Sequence, residues 1–319
     1  MTPAFRTIET NGVTLRAAVQ GSGPLVVMVH GFPESWYSWR HQIGPLASAG
    51  FTACALDVRG YGGSDKPHAI EAYDLETLAR DIAGVIDALS PGAPAVLIGH
   101  DWGAPIVWTT ALAHADKVRA AAGLSVPHVG VGARPFLEVA DMLFTKRGLF
   151  FYQIYFQEEG VAEAELESDV RASVRKMLYA WSGDGVWPKG KKAGANLFDD
   201  IDDFETLPAW LTPADIDYFT AEFESSGFRG PLNRYRNNAR DHAYLTQFAE
   251  RKIEQPTLFI GGDKDPVLTS FPGVDLVGLM RDKVTDLRAA HILPGIGHWT
   301  QQEAPDLVTG HLIDWLATL

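Results

Sequence analysis

The sequence predicts an α/β fold, a mostly parallel sheet flanked by helices, with a helical segment inserted after the sixth strand. Three observations lead to this prediction: strand-like and helix-like runs alternate over residues 1–125, the alternation stops after Pro127, and it resumes at Pro256. Strands that alternate with helices pair in parallel through right-handed crossovers, which places helices on both faces. The 319 residues suffice for one large core with an insertion.

The first part of the chain supplies the predicted strand–helix units. Two short apolar runs, residues 14–19 and 25–30, are separated by the turn sequence Gly21-Ser22-Gly23-Pro24 and predict two strands. Beyond them, the predicted helices are 38–49, 75–89 and 104–113, and the predicted strands are 52–56, 95–99 and 118–124.

The sequence changes in character after Pro127. Residues 130–245 are helical, aromatic and interrupted by Pro and Gly, with a charged helix predicted at 161–179 and an irregular Trp-rich stretch at 181–210. We expect this segment to form a lid over the core.

Alternation returns near the end of the chain. Strands are predicted at 256–261 and 290–293, and an amphipathic helix at 304–316. We therefore expect the lid to separate a first part of the core, residues 1–129, from a second part, residues 246–319.

Composition limits the partners of this protein. The 27 Lys and Arg against 40 Asp and Glu give a net charge of −13, which repels nucleic-acid phosphates and anionic lipid headgroups. No stretch reaches the ~18 apolar residues that a membrane span needs, and residues 1–10 do not resemble a signal peptide. Cys54, the lone cysteine, cannot form an internal disulfide and is expected to be buried. We expect a cytoplasmic monomer or homodimer that binds neither nucleic acid nor membrane.

A candidate nucleophile lies at a strand-to-helix turn of the predicted core. The segment Gly99-His100-Asp101-Trp102-Gly103 has the form Gly-x-nucleophile-x-Gly, with Asp at its centre. In such an elbow the turn is so tight that the flanking positions need Gly, while the central side chain stands above the sheet. The helix N-terminus beneath it favours negative charge. Asp is also a favoured N-cap, so Asp101 could instead only cap the following helix.

A second segment favours the catalytic interpretation. His30-Gly31-Phe32-Pro33 follows an apolar strand, at the place where α/β-hydrolases supply a backbone N–H to an oxyanion hole. We expect the amides of Phe32 and Trp102 to be the two donors, although the same four residues could form an ordinary turn. Elbow and loop together indicate an α/β-hydrolase fold.

The base and its orienting acid follow from their order along the chain, because ten histidines compete for the role. In this fold the nucleophile comes first, then the acid, then the histidine. His298 follows the last predicted strand and Asp265 follows the strand before it, with Asp263 as the second candidate acid. His30 and His100 flank predicted site residues and are expected to line the site.

An aspartate nucleophile determines the type of reaction. A carboxylate with an ordinary pKa of ~3.9 is ionised at neutral pH and attacks without a base. Its attack on a saturated carbon gives an ester, whereas a serine would attack an acyl carbon. A water activated by His298, itself oriented by Asp265, would then attack the carbonyl of the Asp101 ester. The predicted chemistry is a double displacement through a covalent intermediate.

These segments make the chain similar to the soluble epoxide hydrolase family. The resemblance extends over nearly the whole chain and rests on His30-Gly31-Phe32-Pro33-Glu34-Ser35-Trp36, Asp57-Val58-Arg59-Gly60-Tyr61-Gly62, Gly99-His100-Asp101-Trp102-Gly103 and Gly297-His298-Trp299-Thr300-Gln301. It implies that a small hydrophobic epoxide and water give a diol, without a metal or cofactor.

The resemblance also implies that two lid tyrosines donate hydrogen bonds to the epoxide oxygen. The family pattern points to Tyr152, with Tyr155 as an alternative, and to Tyr235. The residues expected to contact the substrate are Phe32, His100, Trp102 and Trp299.

Three other functions share parts of this pattern. A haloalkane dehalogenase has the same Asp elbow and His, but commonly carries Asn where Phe32 stands, so Phe32 and the tyrosine pair favour an epoxide. A fluoroacetate-type dehalogenase should have arginines just after the nucleophile, where this sequence has Trp102, Pro105 and Trp108. A non-catalytic binding module on the same fold is the third alternative, and the intact triad argues against it.

Overall fold

One eight-stranded sheet organises the part of the chain that the computed structural model describes, which comprises residues 2–188, 190–201, 204, 206–270 and 273–319. The strands are β1 (Ala4–Thr10), β2 (Val13–Gln20), β3 (Leu25–Val29), β4 (Thr52–Leu56), β5 (Ala95–His100), β6 (Val118–Leu124), β7 (Ile253–Gly262) and β8 (Val284–Leu293). Their order across the sheet is β1-β2-β4-β3-β5-β6-β7-β8.

Most of the sheet is parallel. β1 pairs antiparallel with β2, and β2 pairs antiparallel with β4, whereas all pairs from β4 to β8 are parallel. This confirms the predicted α/β architecture. Strand β1 was not predicted, because its first four residues are exposed and it lacks a run of apolar residues.

The central strands are buried on both faces. Every residue of β3 and of β5 is buried, as is typical of parallel strands covered by helices on both sides. Their side chains alternate between the two faces: Val27 and Leu97 pack in one apolar cluster, and Met28 and Ile98 pack in the other. Cys54 of β4 is buried, as expected.

Helices cover both faces of the sheet. The core helices are α1 (Arg40–Ser48), α2 (Leu75–Leu89), α3 (Gly103–Ala113), α11 (Pro266–Thr269), α12 (Leu276–Lys283), α13 (Thr300–Glu303) and α14 (Pro305–Leu316); α4 to α10 lie between β6 and β7. The helices α2 and α3 pack in the cluster of Val27, and α1 and α14 in the cluster of Met28. The helix predicted at 304–316 is α14, which begins one residue later because Pro305 is its first residue. No helix of the described ranges is long and apolar enough to cross a membrane.

A helical insertion separates β6 from β7. Its helices are α4 (Phe136–Leu143), α5 (Tyr152–Tyr155), α6 (Val161–Ser168), α7 (Val170–Ala180), α8 (Pro213–Ser226), α9 (Arg229–Tyr235) and α10 (Asn238–Leu245). The single helix predicted at 161–179 is interrupted at Asp169, whose backbone is extended and whose carboxylate accepts a hydrogen bond from the Ala172 amide at 2.9 Å. Asp169 therefore ends one helix and caps the next.

Candidate active site

Asp101 stands at the turn between β5 and α3, in a conformation that only its glycine neighbours permit. Its φ of 50° lies in the left-handed region, which costs a residue other than glycine about 1–3 kcal/mol. A Cβ on Gly99 would lie 2.2 Å from the Gly103 carbonyl oxygen, and a Cβ on Gly103 would lie 2.0 Å from the Val29 carbonyl oxygen. Both flanking positions therefore require glycine, as the elbow motif predicts.

The Asp101 carboxylate does not cap α3. The N-cap position is occupied by Trp102, and no side chain caps this helix end. Instead, Asp101 Oδ1 accepts a hydrogen bond of 2.8 Å from the Phe32 amide. Gly31 permits this approach, because a Cβ there would lie 2.2 Å from the same oxygen. Two backbone amides, those of Phe32 and Trp102, are the predicted oxyanion donors. Among the hydrogen bonds of the described residues, the Phe32 amide donates to the Asp101 carboxylate and the Trp102 amide does not.

His298 lies between two carboxylates. Its Nδ1 is 3.0 Å from both side-chain oxygens of Asp265, and its Nε2 is 3.3 Å from Asp101 Oδ2. Burial alone would lower the pKa of His298, but the charges of Asp265 and Asp101 and the hydrogen bonds to them raise it to about 10. The imidazole is therefore protonated at neutral pH and bridges the two acids.

Asp265 itself is fully buried and caps α11, where it accepts a hydrogen bond of 2.8 Å from the Val267 amide. The other candidate acid, Asp263, accepts a hydrogen bond of 2.7 Å from the Gly295 amide and so holds the loop before His298. The structure thus brings Asp265, and not Asp263, to the histidine.

The other two predicted site histidines do not face the cavity. His30 accepts a hydrogen bond of 3.0 Å from the Val58 amide at Nε2 and contacts the Gly31 carbonyl at 2.8 Å through Nδ1, so its ring is neutral. Burial lowers the pKa of His30 further. His100 is fully buried, and both of its ring nitrogens are occupied by protein partners. The expectation that His100 contacts substrate does not fit this position.

Glu34 is a buried carboxylate that sequence reasoning did not assign to the site. Its Oε2 lies 2.7 Å from His100 Nδ1, and His100 Nε2 lies 2.7 Å from the His298 carbonyl oxygen. Burial alone would raise the pKa of Glu34, but His100, His30 and the Gly31 amide lower it to about 2. Both ring nitrogens of His100 therefore face hydrogen-bond acceptors, a carboxylate on one side and a carbonyl on the other.

The same carboxylate connects three parts of the site. Glu34 also accepts hydrogen bonds from the Gly31 amide at 3.1 Å and from the side chains of Gln301 and Gln302 at 3.0 and 3.1 Å. The loop of Phe32, the elbow and the segment after His298 are thereby held together. The signal available in the sequence was a carboxylate directly after an apolar strand and loop.

Asp101 lines a cavity. Its lining is formed by Phe32, Pro33, Asp101, Tyr152, Phe156, Met177, Trp181, Trp187, Leu197, Tyr235, His298 and Trp299. Apart from Asp101, His298 and the two tyrosines, these side chains are apolar or aromatic. Of the four residues expected to contact substrate, Phe32 and Trp299 line the cavity, whereas Trp102 packs edge-on against Tyr235 with ring centroids 5.2 Å apart.

The two predicted tyrosines both line the cavity, and their rings are in edge-to-face contact with centroids 6.0 Å apart. Burial and the Asp101 charge raise the pKa of both Tyr152 and Tyr235, so both hydroxyls keep their protons at neutral pH. The alternative, Tyr155, lies outside the lining and donates a hydrogen bond of 2.6 Å to Glu165. Of these two candidates, the structure brings Tyr152, and not Tyr155, to the cavity.

Comparisons with known proteins agree with this geometry. A family model described as the alpha/beta hydrolase fold matches residues 24–305. Epoxide hydrolase A of Mycobacterium tuberculosis is 40% identical over 328 aligned positions, which cover 99% of this chain and 98% of the relative. Bifunctional epoxide hydrolase 2 of Sus scrofa is 39% identical, over 96% of this chain and 54% of the relative. The crystal structure of Epoxide Hydrolase A from Mycobacterium thermoresistibile has a TM-score of 0.91 at 42% identity and covers 99% of this chain and 98% of that one.

Proposed function

Because the chain belongs to the epoxide hydrolase family of the α/β-hydrolase fold, we propose that it converts epoxides to vicinal diols through a covalent ester on Asp101. The observation that carries this mechanism is the position of the Asp101 carboxylate. One of its oxygens is held by the Phe32 amide at 2.8 Å, the other lies 3.3 Å from His298 Nε2, and the residue lines a cavity together with two protonated phenols.

The first step is attack by Asp101 on an epoxide carbon. Because Oδ1 is held by the Phe32 amide, Oδ2 is the oxygen that forms the new bond. The carbon–oxygen bond of the epoxide breaks, and the epoxide oxygen takes a proton from a tyrosine hydroxyl. Tyr152 and Tyr235 lie beside each other in the cavity lining, so that either hydroxyl is a candidate donor to this oxygen.

The second step is hydrolysis of the ester by water. Esterification removes the charge of Asp101, which is one of the causes that raise the pKa of His298. The pKa of His298 then falls, and the imidazole gives up the proton that restores the tyrosine. Neutral His298, oriented by Asp265, takes a proton from water as the water attacks the ester carbonyl. The oxyanion forms at Oδ1, where the Phe32 amide already donates. Its collapse breaks the Cγ–Oδ2 bond, and the diol oxygen takes the proton of the newly added hydroxyl, so that the carboxylate of Asp101 and protonated His298 are restored.

The cavity supports a small hydrophobic epoxide as the substrate. Its ionisable lining residues are those assigned to the two steps, so no charged group remains to bind a charged substituent. Most of the lining comes from the helical insertion, and we propose residues 130–245 as a lid that covers the site between the core segments 1–129 and 246–319.

The haloalkane dehalogenase alternative fits the geometry less well. Halide release would need the indole N–H of Trp102 or a similar donor to face the leaving group. Here Trp102 is not among the residues that line the cavity and packs edge-on against Tyr235, and Phe32 offers no side-chain donor.

The ester intermediate gives a direct test. In the variant His298→Gln the water-activating base is lost while Asp101 stays ionised, so incubation with styrene oxide should add the mass of one styrene oxide to the protein. Intact-protein mass spectrometry measures the adduct, and peptide mapping assigns it to Asp101. The double variant Asp101→Asn, His298→Gln is the matched control and should remain unmodified. An unmodified single variant that still has its native fold would contradict the mechanism.

A further inference from the structure

Glu303 is an acidic residue near His298 that the two proposed steps do not use. It is the last residue of α13, and its carboxylate accepts hydrogen bonds from three backbone amides. Oε2 accepts from Gly183 at 2.8 Å and from Gly297 at 2.9 Å, and Oε1 accepts from Trp299 at 2.9 Å. Because Gly297 and Trp299 are the neighbours of His298 in the chain, this carboxylate holds the backbone on both sides of the base.

The third amide, that of Gly183, belongs to the helical insertion. It lies in the turn after α7, and this turn packs directly on the loop before His298, since a Cβ on Gly183 would lie 2.2 Å from the Gly295 carbonyl oxygen. In the same contact, the His298 amide donates a hydrogen bond of 2.9 Å to the Trp181 carbonyl. Glu303 therefore fastens the insertion to the loop that carries the base.

The same turn supplies a wall of the cavity. The Trp181 ring lines the cavity and meets the imidazole of His298 edge to face, with ring centroids 5.1 Å apart. The imidazole is thus restrained twice: Asp265 holds Nδ1, and the Trp181 ring packs against it. The attacking water has to reach Nε2 and the ester carbonyl carbon together, so a small displacement of the imidazole weakens this step strongly.

We propose that Glu303 is a positioning residue for ester hydrolysis, which holds His298 and the Trp181 wall in the arrangement that activates water. The inference rests on the proposed function. Glu303 touches neither the ester nor the water in this account, and it acts through the backbone on both sides of His298.

The first step, ester formation, depends less on Glu303. Asp101 is held by the loop after β3, and Tyr235 lies at the end of α9; among the described residues, neither makes a hydrogen bond with Glu303. Tyr152 packs against the Trp181 ring with centroids 5.1 Å apart, but Tyr235 remains as a second donor to the epoxide oxygen. Loss of the Glu303 carboxylate should therefore slow the two steps unequally.

The variant Glu303→Gln breaks these contacts with little change in side-chain size. An amide has one oxygen, which accepts, and one NH₂ group, which only donates. In either orientation of the new side chain, the NH₂ group faces the Gly297 amide or the Trp299 amide. The backbone on one side of His298 therefore loses its acceptor.

Single turnovers with styrene oxide, followed by rapid quench and intact mass, measure the two steps separately. In Glu303→Gln, ester decay should slow by about tenfold or more, the size of effect expected when a base is slightly misplaced. Ester formation should stay within about threefold of the wild type. Equal slowing of both steps, slowing of formation alone, or unchanged decay would overturn the proposal.

Glu165→Gln is the matched control. Glu165 lies in the insertion and accepts from the amides of Leu197 and Phe198, each at 2.9 Å, and none of its hydrogen bonds among the described residues reaches the loop of His298. This variant should lower the melting temperature without changing the ratio of ester decay to ester formation. A change in that ratio as large as in Glu303→Gln would mean that any loosening of the insertion has this effect, and would overturn the proposal.

A second variant covers a failure to fold. If Glu303→Gln does not fold, as judged by circular dichroism, Glu303→Asp takes its place, because it keeps the charge and both oxygens but draws them back by one methylene. Ester decay should again slow more than ester formation, and equal slowing would again overturn the proposal. If His298→Gln accumulates no ester, the proposed function itself has failed. If that ester forms but decays in Glu303→Gln at the wild-type rate, only the role of Glu303 has failed.

Discussion

Tyr152 and Tyr155 differ in what their hydroxyl groups contact, and this difference assigns their roles. Tyr152 lines the cavity, whereas Tyr155 donates to Glu165, whose carboxylate also accepts from the Leu197 amide at 2.9 Å. Tyr152→Phe should therefore lower the rate of diol formation by about tenfold to a hundredfold, since Tyr235 remains as a second donor. Steady-state conversion of styrene oxide measures this loss.

Tyr155→Phe is the matched control for Tyr152→Phe. It removes the hydroxyl from a partly buried hydrogen bond and should cost about 1 kcal/mol of unfolding free energy, with turnover nearly unchanged. A large loss of turnover in Tyr155→Phe, with Tyr152→Phe close to normal, would reverse the assignment.

At the scale of single residues, the sequence predicts the triad better than its surroundings. Asp101, Asp265 and His298 follow from a local motif and from chain order, and neither depends on side-chain packing. The burial of His100 and its hydrogen bond to Glu34 depend on contacts between segments that are far apart in sequence. His100 and Glu34 are separated by 66 positions. Only the folded chain shows that the two side chains meet.

The elbow between β5 and α3 depends on small residues at both ends. Gly99→Ala would place a Cβ 2.2 Å from a backbone oxygen, so the turn has to open. We expect a loss of about 3 kcal/mol in unfolding free energy, measured by urea denaturation, together with loss of activity as Asp101 moves.

Gly310→Ala is the control for this substitution. Gly310 lies in α14, and a Cβ there would meet nothing within 4 Å. This substitution should leave stability unchanged or raise it by up to about 1 kcal/mol, because alanine favours the helix. Equal stability of the two variants would show that the elbow tolerates a side chain at position 99.

At the scale of elements, burial decides which strands could be recognised. Strands β3 and β5 are continuous apolar runs, and their positions were predicted to within one residue. Strand β8 lies at the sheet edge and is mostly half-exposed, so only its last four residues, 290–293, showed a strand pattern. The break at Asp169 was missed because the apolar periodicity continues from α6 into α7.

At the scale of the whole molecule, the topology assembles the site from both sides of the insertion. Asp101 precedes the insertion, Tyr152 and Tyr235 lie within it, and Asp265 and His298 follow it. The parallel strands β5 and β7 both end at the same edge of the sheet, where Asp101 and Asp265 begin their loops. The alternation of strands and helices predicts this edge, but the shape of the cavity depends on how the insertion packs.

The coupling between His298 and its two carboxylates should appear in the stability of the whole protein. The pKa of His298 is raised from 6.5 to about 10, so the native state holds this proton more tightly than the unfolded chain does. The stabilisation is complete below pH ~6.5 and is lost as pH rises toward the folded pKa, a loss on the order of a few kcal/mol. Urea denaturation of the wild type and of His298→Gln, at intervals from pH 6.5 to pH 10, gives the difference between their unfolding free energies. The titrations of lysine and tyrosine are common to both proteins and cancel in this difference. The stability of the wild type should fall relative to the variant across this range. Parallel curves would mean that His298 is neutral in the free enzyme and that the ion pair with Asp101 does not form.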